Sequence, residues 1–297
     1  MFTFKEKEIN QVFRNKQFQL ELENNGYVII PFYKDEDIKK LSEFYLKNTT
    51  SNQAGFQPTT YFQSLGYRIN ASQFIKEIAL KYVDDYFINY KAFMGSFITK
   101  HADKNSELGV HQDMTLVDES QFMGINIWSP LCDTNEKNGA LYLIPKSHRI
   151  FPTYRNATIK NCYDKHYGVI KKYMQPVYIK AGEAIVFDNS ILHYSPPNLS
   201  NAIRIATNVF ITHKEATLTI CYHDKNRNQI ELFEQQDDFF TSFTQFGNDS
   251  NQERPKIGNS IGFRDYNFPD LTTKLLEERY GKLKENNFFN KIREKLF

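Results

Sequence analysis

The sequence predicts a mainly β chain with flanking helices, an α+β arrangement round a jelly-roll-like core, and three observations predict it. Helical spacing is confined to the two ends of the chain. Six short β-like runs fill residues 92–212, and turn signals separate them. Many short strands of this kind, following helices, close as a jelly roll with the helices packed outside.

Residues 5–24 repeat apolar positions at three and four and read as a helix. GYVIIPF, 26–32, is a short strand, and KDED, 34–37, places acid at the start of a second helix over 34–48. SQFIKEIALKYVDDYFINY, 72–90, is a third helix, with Ser72 as its expected cap. After it the period changes to two. The β runs are AFMGSFIT (92–99), MGINIWSPL (123–131), GALYLIP (139–145), QPVYIK (175–180), EAIVFD (183–188) and IRIATNVFIT (203–212). From residue 213 the chain is polar and aromatic, and 270–297 forms one or two amphipathic helices.

The chain has 297 residues, 40% of them hydrophobic, with no internal repeat or Pro/Gly/Ser linker. This favours a single domain over 1–297: helical support in 1–91, a β core in 92–212, and a C-terminal elaboration in 213–297. A net charge of +2 without a basic stripe disfavours nucleic acid or a membrane as partner and favours a small molecule. Cys132, Cys162 and Cys221 lack CxxC spacing and read as ordinary thiols. With neither a signal-like N-terminus nor a long apolar run, a cytoplasmic protein is the expectation. The sequence does not indicate an oligomeric state.

The chemistry is concentrated in ILHYSPPNLSNAIR, 191–204. His193 ends one apolar run, Pro196 and Pro197 forbid a ladder, and Arg204 opens the next run, so the segment reads as strand, loop, strand. His193 and Arg204 are then expected near the same end of neighbouring strands. Three His-x-acid pairs offer co-ligands: His101/Asp103, His111/Asp113 and His213/Glu215. In an extended segment both side chains of such a pair point the same way and can meet one ion. A distant histidine completes a 2-His-1-carboxylate face, which leaves adjacent positions of an octahedral iron open for a bidentate cosubstrate and O2. An arginine fork suits the far carboxylate of a keto diacid such as 2-oxoglutarate. The spacing alone does not choose among the three pairs.

The ordered set His111-Gln112-Asp113, Trp128 in INIWSPL, NGALYLIPKSHR and AGEAIVFDNSILHYSPPNLSNAIR resembles the phytanoyl-CoA dioxygenase family of iron(II)/2-oxoglutarate oxygenases, as does the earlier ENNGYVIIPFYKDEDIKKL. The resemblance covers roughly residues 20–212. It implies a double-stranded β-helix, cupin-like core, metal ligation by His111, Asp113 and His193, and cosubstrate carboxylate binding by Arg204. It selects His111 over His101 by its distance from Trp128. It makes His148 of KSHR a structural turn residue. A hydroxyl residue is frequent two positions after the arginine in such enzymes, and Ala206 stands there instead. Asn126, Trp128 and Thr99 are candidates beside the cosubstrate. The implied cofactors are Fe(II), 2-oxoglutarate and O2, and the implied activity is hydroxylation of an unactivated C–H bond of a small-molecule metabolite or natural-product intermediate.

The basic segment 149–173 reads as a lid whose charge would suit an anionic substrate, although solvated lysines explain the same pattern. GNSIG, 258–262, matches a hydrolase nucleophile elbow, but no histidine follows residue 223 to serve it. A non-catalytic β-barrel binding protein with a vestigial metal is the alternative from another class.

Overall fold

The computed structural model describes residues 10–49, 54–62, 64–150, 154–156, 158–242, 254–266 and 270–283. Two antiparallel sheets form its centre. The larger runs in the order β1 (Tyr27–Pro31), β8 (Glu183–Asp188), β5 (Ile125–Pro130), β10 (Arg204–His213), β3 (Tyr90–Lys100) and β2 (Phe56–Pro58). The smaller runs β4 (Leu108–His111), β9 (His193–Ser195), β6 (Leu141–Leu143) and β7 (Gln175–Val177). Trp128, Ile185, Phe187 and Ala206 of the first share one apolar cluster with Leu141, Leu143 and Val177 of the second. This is the jelly roll that the strand pattern predicts.

Alternation divides the large sheet into two faces. On β10, Ile205, Val209 and Ile211 join the outer cluster, while Arg204, Asn208 and Phe210 line an internal cavity. The outer face is covered by helices α1 (Lys16–Asn25), α2 (Asp35–Asn48) and α3 (Leu65–Tyr86). Phe97 at that interface is fully buried against Phe44 and Tyr45, so truncating it to alanine costs about 3–5 kcal/mol. Gly95 lets α3 lie directly on β3: a Cβ there would stand 2.9 Å from the Ser72 carbonyl oxygen.

That contact corrects the expected start of the third helix. The cap is Ser64, which accepts from the Tyr67 N–H, and Ser72 lies buried one and a half turns or more inside the helix. There its hydroxyl accepts from the Gly95 N–H at 3.0 Å, so tertiary packing explains the serine that looked like a cap.

Two further expectations change. His193 and Arg204 are not on neighbouring strands of one sheet: β9 pairs with β4 and β6, whereas β10 pairs with β3 and β5. The Pro196–Pro197 turn carries the chain from the small sheet to the large one. The polar region after 213 also contains a third sheet, β11 (Thr219–Asp224), β12 (Gln229–Glu234) and β13 (Asn259–Asp265). GNSIG falls on β13 rather than at a strand-to-helix turn, which removes the nucleophile elbow. Of the expected terminal helices, 273–283 is helical, and residues 1–9 and 284–297 lie outside the described residues. Among the described residues no helix is long and apolar enough to cross a membrane.

Candidate metal centre and its cavity

His111 ends β4, His193 begins β9, and the two are Cα partners across that pair of strands. Asp113 follows two residues after His111, just past the end of β4. The Nε2 atoms of His111 and His193 lie 3.5 and 3.9 Å from Asp113 Oδ1. One donor atom from each of the three residues lies within 4.8 Å of the others. Each imidazole is oriented by the chain itself, with Nδ1 at 2.7 Å from the Gly109 carbonyl oxygen for His111 and at 3.0 Å from that of Ile191 for His193. Those bonds fix the tautomer and turn both Nε2 lone pairs inward.

Electrostatics agree with ligation. Burial, then the neighbouring His111, lowers His193 to about 4, so it is a neutral donor at neutral pH. Burial alone would raise the Asp113 carboxyl, but the His193 and His111 imidazoles and the Arg155 guanidinium hold it below the usual carboxylate range. A carboxylate and two imidazoles that converge on one point fit a divalent first-row metal that keeps open positions. His101 and His213, of the two other pairs, do not join this cluster.

Asn126 reaches the site from β5. Its Nδ2 donates to Asp113 Oδ2 at 2.8 Å and also to Asn189 Oδ1, while its Oδ1 accepts from Asn208 Nδ2. The Asp113 N–H donates to the Asn189 carbonyl at 2.8 Å. This amide network was not anticipated for Asn189 and Asn208. The signal was the run FDNS, whose Asn189 lies four residues before His193.

The cavity beside the three donors has a volume of about 410 Å³. The register along its floor gives it two ends: Arg204 faces Lys100, Ala206 faces Ile98, Asn208 faces Ser96, and Phe210 faces Met94. Arg204 and Lys100 form the basic end. Met94 and Phe210, joined by Met114 and Leu116, form the apolar end. Trp128 lines the cavity, and the Arg204 guanidinium lies 5.1 Å from its ring centroid. Burial lowers Arg204 to about 10, which still leaves it charged at neutral pH.

Thr99 falls elsewhere. Its hydroxyl donates to the Gln57 carbonyl at 2.7 Å and pairs with Tyr45 on the helical side, because the inward residues of β3 are 94, 96, 98 and 100. His148 is likewise away from the donors, with Nε2 at 2.9 Å from the Glu23 carbonyl oxygen at the end of α1. In the basic segment, Arg155 is paired with Glu119 and donates from Nε to the Asp113 carbonyl at 2.6 Å. Lys171 is paired with Glu107. Neither lines the main cavity.

Fold and site together define a double-stranded β-helix protein with a 2-His-1-carboxylate donor set. Residues 22–206 match the family profile described as phytanoyl-CoA dioxygenase, and the chain belongs to that family of iron(II)- and 2-oxoglutarate-dependent oxygenases. A phytanoyl-CoA dioxygenase domain-containing protein 1 homolog of Dictyostelium discoideum is 33% identical over 121 residues, 37% of this chain and 42% of the relative. The Danio rerio protein of that name is 27% identical over 183 residues, 58% of this chain and 60% of the relative. The chain thus spans less than two thirds of the curated relatives it matches. Among solved structures, the carbocyclase SnoK from nogalamycin biosynthesis superposes with a TM-score of 0.50 at 15% identity, over 69% of this chain and 86% of that one. HygX from Streptomyces hygroscopicus, solved with nickel, 2-oxoglutarate and hygromycin B, gives 0.50 at 13% identity over 68% and 88%. At such identities the likeness is one of fold.

Proposed function

We propose that this chain is an iron(II)- and 2-oxoglutarate-dependent oxygenase that hydroxylates an unactivated C–H bond of a small molecule. The observation that carries the reading is the convergence of His111, Asp113 and His193 on the wall of a cavity whose far end holds the buried Arg204. When bound, iron and cosubstrate supply the redox chemistry: O2 is consumed with 2-oxoglutarate, one oxygen atom enters the substrate as hydroxyl, and succinate and CO2 leave.

The chain's own residues bind and orient. His111, Asp113 and His193 hold the metal, and Asn126 keeps the carboxylate aimed by occupying its second oxygen. Arg204 pairs with the far carboxylate of 2-oxoglutarate, and Trp128 flanks its guanidinium. The apolar walls of Met94, Met114, Leu116 and Phe210 exclude water and receive the substrate. Both basic side chains that line the cavity lie at the opposite end, and Arg155 and Lys171 of the basic segment are paired with Glu119 and Glu107. The reacting part of the substrate is therefore uncharged, and the acyl-CoA of the family name is not carried over.

The test is an anaerobic titration of iron(II) and 2-oxoglutarate, followed by admission of O2. A visible charge-transfer band and O2-dependent succinate are expected. Absence of both favours a non-catalytic barrel that binds a small molecule.

A further inference from the structure

The inward face of β3 ends in Lys100, which none of the roles above uses. Lys100 and Arg204 are Cα partners across β3 and β10, and both line the cavity. Lys100 is 0% and Arg204 3% exposed. Among the described residues neither meets a carboxylate. Lys100 Nζ donates to the carbonyl oxygens of Ser195 at 2.7 Å and Pro196 at 2.6 Å, and Arg204 Nε has no partner.

Two buried cations side by side lose hydration and repel each other, with no carboxylate in contact to offset either cost. An arginine cannot escape this by deprotonation at neutral pH; a lysine can. Burial, then the charge of Arg204, lowers Lys100 to about 6, with Glu107 before β4 acting the other way. The other neighbours bring no opposing charge: Phe56 faces Lys100 from β2, the Ser195–Pro196 turn brings carbonyls, and burial keeps the Cys132 thiol near Arg204 protonated. A neutral amine has two N–H donors, and the two carbonyls take both. A third N–H arrives with the proton and is free for a ligand.

We propose that Lys100 is the second cation for the far carboxylate of 2-oxoglutarate, supplying the contact that Ala206 cannot, and that it takes up a proton from solvent as the dicarboxylate enters. This rests on the reading of the cavity as a 2-oxoglutarate site. Gly139, in the NGAL stretch, is shaped for the same purpose: at φ +78°, a Cβ there would stand 2.8 Å from the Pro196 carbonyl oxygen and 2.9 Å from Lys100 Cδ. The glycine leaves the passage through which the lysine stem crosses from the large sheet to the small one.

The experiment uses the anaerobic iron(II)-loaded protein and two ligands, 2-oxoglutarate and 2-oxovalerate, which has a methyl group in place of the far carboxylate. Binding is read from the visible charge-transfer band, and proton uptake from calorimetry at pH 7.5 in two buffers of different protonation enthalpy. Lys100→Met is expected to weaken 2-oxoglutarate roughly tenfold to hundredfold, the size of one charge-assisted pair, and to leave 2-oxovalerate unchanged. The unsubstituted protein is expected to take up close to one proton more with 2-oxoglutarate than with 2-oxovalerate. Equal weakening of both ligands means that Lys100 only props the Ser195–Pro196 turn, and overturns the proposal. So does equal proton uptake for the two ligands, a result that needs no variant. If the unsubstituted protein fails to bind 2-oxoglutarate, the reading of the cavity falls; if it binds and Lys100→Met changes nothing, only the role of Lys100 falls.

Discussion

The His111 and His193 rings lie 4.1 Å apart, centroid to centroid, on strands whose register makes the two residues direct partners. At that separation the two Nε2 atoms and the Asp113 carboxylate lie close enough to share one external cation. The backbone bonds to Gly109 and Ile191 hold them so in advance. This preorganisation leads to predictions that separate the metal from the fold.

Asp113→Ala is expected to abolish succinate formation while the protein stays folded, because the donors are oriented by backbone and amide contacts rather than by the ion. Chelation of iron should lower the melting temperature of the unsubstituted protein by mass action and leave that of Asp113→Ala unmoved. Calorimetric melts with and without chelator make the comparison. A variant that still responds to chelation would show that the carboxylate is not a ligand.

Asn126→Ala removes the group that satisfies Asp113, Asn189 and Asn208 together. Iron affinity should fall about tenfold to hundredfold, as for loss of a contact that orients a ligand, and stability should fall by about 1–3 kcal/mol for the polar atoms left without a partner. Iron titration and denaturant unfolding measure the two effects separately. Unchanged iron affinity would reduce Asn126 to a packing residue.

Arg204→Ala should raise the 2-oxoglutarate requirement by about 1.5–3 kcal/mol, or roughly tenfold to more than a hundredfold, with iron binding intact. Gly139→Ala should act on the same ligand from a distance, since the new methyl group displaces the Lys100 stem and the backbone is already in the left-handed region. The expected result is a loss of 2-oxoglutarate affinity with a melting temperature lowered by the backbone strain. Normal affinity in Gly139→Ala would show that the lysine has another route.

Parity made three His-x-acid pairs candidates and put His193 at the end of an apolar run, but the choice of His111/Asp113 among them came from the resemblance to the family's ordered motifs; the spacing alone left it open. Arg204 was legible as a residue but not in its placement, since nothing in SPPNLSNA says that the chain changes sheets. Thr99 was assigned to the cavity by the wrong parity. Gly95 held the correction, because a glycine inside a strand marks a close backbone approach; if 95 faces a helix, then 94, 96, 98 and 100 face the cavity. Lys100 was missed for a physical reason. A lysine at a strand end is ordinarily solvated, and only the tertiary structure shows that this one ends in a carbonyl cradle. The sheet β11–β13 was passed over because its strands TICYHD, QIELFE and NSIGFRD mix polar residues on both faces.

The buried amine also makes a prediction about stability in the absence of any ligand. Lys100 titrates near 6 in the folded protein and at its ordinary value of 10.5 when unfolded. Between those limits the unfolded chain carries a proton that the folded one lacks, so this group makes stability rise with pH, by at most about 1.4 kcal/mol per unit. Below 6 both states are protonated, its slope vanishes, and the full cost of the buried charge is present. Lys100→Met should remove this slope and be the more stable protein on the acid side, with the difference narrowing as pH rises from 6 to 9. Denaturant unfolding of both metal-free proteins across that range measures it. Parallel curves would mean that Lys100 keeps its proton in the folded state, and that an anion-independent contact stabilises its charge.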